Sequence, residues 1–78
     1  MENNQGEIEM TFRPDMTPLE ALQLALKREV AAEDFYQRAA DTLKDESASQ
    51  MFQFLAKEEK KHQQIIQDEI DKNFLKEM

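Results

Sequence analysis

Beyond residue 16 the apolar positions fall into two long rows at helical spacing. The first runs Leu19, Leu22, Leu26, Glu29, Glu33, Tyr36, Ala40 and Leu43, in steps that place its members on one face of a helix. Leu24, Ala31, Phe35 and Ala39 add a second flank that widens the stripe. The second row runs Ala48, Phe52, Leu55, Glu59, His62, Ile66, Glu69 and Asn73, flanked by Met51, Ile65, Ile70 and Phe74. The pattern predicts helix 1 over about 17–44 and helix 2 over about 47–75. Thr17-Pro18-Leu19-Glu20 marks the first start: Thr accepts from the N3 amide, Pro suits N1 and Glu at N3 reaches back. Lys44-Asp45-Glu46-Ser47 offers a turn and a new N-cap at Asp45 or Ser47, the latter with Gln50 as a second capping box. So short a connection between long helices predicts an antiparallel hairpin.

Both stripes are wider than one partner helix covers. Each helix extends about 40 Å at about 1.5 Å per residue, and a lone pair would leave the second flanks in water. The expected architecture is therefore all-α, an antiparallel two-helix hairpin that dimerises into a four-helix bundle. Residues 1–16 are polar and aperiodic, carry Gly6 and Pro14, and read as a flexible N-terminal arm to a hairpin domain over 17–78.

Composition narrows the chemistry. A chain of 78 residues buries a modest fraction of its surface and usually needs a disulfide, a metal or a partner subunit. Cysteine is absent, which excludes disulfides and thiolate-ligated metals and leaves oxygen and nitrogen donors. The net charge of −7 argues against a nucleic-acid or anionic-membrane partner. No apolar run reaches the length of a membrane span and no signal-like start is present, so the expected location is the cytoplasm.

The rows break where polar residues fall on the inner face. Glu29 sits between Leu26 and Tyr36, and Glu59 and His62 sit between Leu55 and Ile66. Glu29 and His62 are equally far from a turn at Asp45 and Glu46, and Glu59 is one turn away, so all three meet at one height in the hairpin. A buried carboxylate is costly without a cation, and no Lys or Arg falls on the inner stripe nearby. Glu-x-x-His presents a carboxylate and an imidazole to one point. One Glu from each of two helices and Glu-x-x-His from two others is the donor set of di-iron carboxylate bundles. Two copies of this chain provide it, and their four carboxylates balance two divalent ions.

Glu-x-x-His alone is common on solvated helix faces. Weight comes from the convergence of distant residues on one height, and from His62 being the single histidine. Tyr36, two turns after Glu29, is expected to direct its hydroxyl at a ligand carboxylate. Glu33 and Glu69 read as bundle edge or an approach path for metal, and Glu58, Lys60 and Lys61 as solvated surface. The Met and Phe residues read as packing.

Asp34-Phe35-Tyr36, the spacing from Glu29 to Tyr36, and Lys57-Glu58-Glu59-Lys60-Lys61-His62 resemble the ferritin-like superfamily, in particular its rubrerythrin-like branch. Full-length members carry two such helix pairs, whereas this sequence has one, and so resembles the encapsulated ferritins over roughly residues 17–75. The resemblance implies a ferritin-like bundle with Glu29, Glu59 and His62 as iron ligands and Tyr36 beside them, and two iron ions per dimer. It implies ferroxidase activity, with dioxygen oxidising Fe(II) to Fe(III) for iron storage or detoxification. It further implies a ring of dimers inside an encapsulin shell. The alternatives are rubrerythrin-like peroxide reduction at the same site and a metal-free helical dimerisation module.

Overall fold

The computed structural model describes residues 10–74. Two helices account for most of them: α1, Pro18–Thr42, and α2, Glu46–Asn73, packed against each other along their lengths. No strand occurs among the described residues. The all-helical hairpin expected from the two apolar rows is present.

Local chemistry explains the helix ends. Thr17 is extended, its hydroxyl accepts from the Glu20 amide at 3.1 Å, and the Glu20 carboxylate accepts from the Thr17 amide at 3.0 Å. Helix α1 stops at Thr42, short of the expected Lys44, because Leu43 turns to extended backbone while its amide still donates to Ala39. Of the two candidate caps for α2, Asp45 takes the role: its carboxylate accepts from the Ala48 amide at 2.9 Å. The helix thus begins at Glu46, one residue before the expected start. Gln50 then bonds Glu46 rather than closing a box on Ser47. Ser49 ties the hairpin below the turn, donating to the Ala40 carbonyl at 2.7 Å. The far end of α2 lies at Asn73, and Leu75 falls outside the described residues.

The described part of the N-terminal arm is residues 10–16. Arg28 donates to the Met10 carbonyl at 3.1 Å, and the Met16 amide closes a turn on Arg13. Leu24 is 8% exposed and lines a shallow hollow together with Arg13 and half-buried Met16 of this strap. Residues 1–9 lie outside the described part.

The core is thin. Its buried members among the described residues are Leu24, Ala40, Ala56 and Ile70. Large apolar side chains remain in water: Phe35 is 61% exposed, Met51 55%, Phe54 54% and Ile65 66%. Their position follows from helix geometry. On one side of the hairpin a groove is lined by Leu26, Val30, Lys60, Gln63 and Gln67. Phe35 on α1 is on the opposite flank from Val30, and Met51, Phe54 and Ile65 on α2 are on the opposite flank from Lys60 and Gln67. The side opposite the groove therefore carries most of these exposed apolar side chains, although Val30, 48% exposed, lies on the groove side. Phe35, Tyr36 and Phe52 cluster toward the turn, with ring centroids 5.6 to 6.3 Å apart.

Asp45→Ala is expected to lower stability by about 1 kcal/mol in urea unfolding, whereas Ser47→Ala stays within about 0.5 kcal/mol of the parent. The reverse order would move the cap to Ser47.

Candidate metal centre

Glu29, Glu59 and His62 come together, with Glu29 and His62 on either side of the turn and Glu59 one helical turn from His62. Each contributes a donor atom, and these atoms all lie within 4.8 Å of one another. His62 Nδ1 is 3.4 Å from Glu29 Oε1 across the hairpin and 3.4 Å from Glu59 Oε1 on its own helix. Two donors 3.4 Å apart can share one ion at about 2.1 Å from each.

Burial grades across the group. The Glu59 side chain is 14% exposed, Glu29 28% and His62 49%. Glu59 Oε1 is buried with no hydrogen-bond partner; His62 Nδ1 is near, yet not aligned to donate to it. A buried carboxylate oxygen without a partner forfeits its hydration and gains nothing in exchange. Hard oxygen donors beside an imidazole suit a divalent transition metal, and the orphaned oxygen is where one would bind. The residues present fit such an ion. His62 rides the flank of α2 that also carries Met51, Phe54 and Ile65, so the group opens on the apolar side.

Other sequence-marked residues are placed differently. Tyr36 packs its ring on Phe52, centroids 6.0 Å apart, and its hydroxyl makes no hydrogen bond to Glu29 or Glu59. Glu69 accepts from Asn73 at 2.7 Å and is not in the donor group. Glu58 pairs with Lys61 at 3.1 Å. Glu33 is held from α2: Gln63 donates to it at 2.8 Å, and Lys60 stands 3.5 Å away. Lys60 thus pairs with Glu33, not with Glu29 or Glu59, and stays surface-exposed as expected. Lys60 stands off the inner stripe but reaches in on its long stem. The available sequence signal was the i,i+3 pair Lys60 and Gln63, one residue out of phase with Glu59 and His62.

The rubrerythrin family profile matches residues 20–78, most of the chain and all of this donor group. The chain belongs to the rubrerythrin family. No curated protein and no solved structure matches it. Domains of the rubrerythrin family bind iron and belong to the ferritin-like superfamily, and membership points to a di-iron oxidoreductase kind of activity. In this rubrerythrin-family hairpin no helix among the described residues is long and apolar enough to cross a membrane.

Glu59→Leu is expected to make the metal-stripped protein more stable in urea by about 1 to 3 kcal/mol, since it removes an unsatisfied buried oxygen. A destabilised variant would show that Glu59 has a protein partner instead.

Proposed function

We propose that two copies of this hairpin join through their apolar sides, and that the resulting four-helix bundle oxidises Fe(II) with dioxygen. The supporting observation is that a three-donor group with an orphaned carboxylate oxygen opens on the side where Phe35, Met51, Phe54 and Ile65 are exposed. One chain offers two carboxylates and one imidazole, too few to satisfy two metal ions. A second chain doubles the set and covers the apolar side in the same event.

Iron is the substrate in this reading. Two Fe(II) ions bound side by side supply the two electrons that reduce dioxygen to the level of hydrogen peroxide. The residues do the rest. Two Glu29 and two Glu59 carboxylates offset four positive charges, which keeps the buried site neutral. In this reading Glu59, the most buried donor, would be the shared ligand and Glu29 and His62 the terminal ones, which its 14% exposure against their 28% and 49% supports. Oxygen donors favour Fe(III) over Fe(II) and so pull the oxidation forward. Tyr36, whose hydroxyl bonds neither Glu29 nor Glu59 in the single hairpin, would orient a carboxylate only once two copies join. Iron storage or detoxification is the role that reaction would serve. A ring of dimers and an encapsulin shell are implied by the resemblance alone and form no part of this proposal.

Aerobic addition of Fe(II) should produce ferric absorbance that saturates at about two irons per pair of chains. Glu59→Ala and His62→Ala should abolish the fast phase, and parent-like rates in both would remove the assignment. Hydrogen peroxide oxidising the reduced site much faster than dioxygen would favour the peroxide-reducing alternative, whose electrons would come from outside these 78 residues, which hold no cysteine for a thiolate-ligated iron centre. Stability and oligomeric state indifferent to Fe(II) would favour the metal-free module. Ile65→Glu should convert dimer to monomer in sedimentation velocity and lose iron oxidation with it. A monomeric yet active Ile65→Glu would separate the site from assembly.

A further inference from the structure

Helix α2 carries two i,i+3 pairs one residue out of phase, Glu59 with His62 and Lys60 with Gln63. Helix α1 meets them with two carboxylates one turn apart, Glu29 and Glu33. The first pair converges on Glu29, with His62 Nδ1 3.4 Å from its Oε1. The second pair converges on Glu33. Gln63 Nε2 donates to Glu33 Oε1 at 2.8 Å, and Lys60 Nζ lies 3.5 Å from Oε2. The Gln63 amide also reaches the Glu29 carbonyl at 3.5 Å, so the contact sits at the height of the metal group. Both oxygens of Glu33 are engaged, and Glu33 is absent from the donor group although its side chain is only 24% exposed.

We infer that Lys60 and Gln63 are positioning residues that hold Glu33 off the metal and limit each chain to two carboxylate ligands. The inference rests on the metal-binding reading above. Glu33 is four residues from Glu29, about 6 Å along the axis, a span within reach of a side chain with three rotatable bonds. Released, it would bring a third carboxylate from each chain. Six negative charges would then face four positive ones in a poorly solvated site, where uncompensated charge is costly. Lys60 cancels the Glu33 charge locally, and the Gln63 amide fixes the direction in which the carboxylate points. Because the Lys60 side chain is 70% exposed, the ion pair contributes little to stability; its effect is on orientation.

The test uses Co(II), whose visible absorption weakens as added oxygen ligands take it toward octahedral coordination. In Lys60→Ala/Gln63→Ala the absorbance per bound cobalt should fall roughly twofold, as expected for a gained carboxylate. Adding Glu33→Gln to that double variant should return the parent spectrum, since the amide removes the extra ligand but keeps the shape. Lys60→Ala alone, at an exposed position that should not perturb folding, should shift the spectrum the same way to a smaller extent. A parent-like spectrum in the double variant overturns the inference, as does a loss that Glu33→Gln fails to reverse. Should the double variant not fold, a parent-like spectrum in Lys60→Ala overturns it equally. Failure of the parent itself to take up Co(II) would overturn the metal-binding reading, and this inference with it.

Discussion

A carboxylate oxygen buried without a hydrogen bond is the constraint around which this hairpin is arranged. Glu59 Oε1 has left water and found no donor, and His62 Nδ1, 3.4 Å away, is not aimed to satisfy it. Such an atom survives in a small protein only if something outside the free chain completes it. The matching height of Glu29, the i,i+3 placement of His62 and the side on which the group opens all gain their sense from that need.

The second constraint is the thinness of the core. A hairpin whose buried side chains are Leu24, Ala40, Ala56 and Ile70 has little apolar burial to set against the entropy of ordering two long helices. Caps at Thr17 and Asp45 and the strap pinned by Arg28 each add a modest increment. In the proposed dimer further stabilisation comes from covering Phe35, Met51, Phe54 and Ile65. Because the metal group opens on the same side, covering the apolar surface and completing the ligand set are one event in the proposed dimer. Iron then stabilises the dimer and the dimer retains iron, by mass action in both directions.

The two carboxylates of α1 show how one helix turn separates two fates. Glu29 and Glu33 are the same residue type at neighbouring inner positions, yet one meets a carboxylate and an imidazole while the other meets an ammonium and an amide. The difference lies entirely in which of two interleaved pairs on α2 each one faces. This division keeps the charge count of the proposed site balanced while allowing both residues to be partly buried.

What the sequence determined by itself is what depends on neighbours three and four residues apart. The two helices, the capping box at Thr17 and the common height of Glu29, Glu59 and His62 were legible because local backbone geometry and distance from the turn settle them. Residue types along a helix also revealed the excess width of the apolar stripes. The tertiary structure decided matters that turn on rotation about each helix axis and on side-chain reach across the gap. It selected Asp45 over Ser47 as the cap, drew Lys60 and Gln63 onto Glu33, set Tyr36 against Phe52 and pinned residues 10–16 through Arg28. A periodic pattern says which face a residue shares. Only the packed pair of helices says which atoms on that face come within hydrogen-bonding distance, because a few degrees of rotation or one extra methylene exchanges one partner for another.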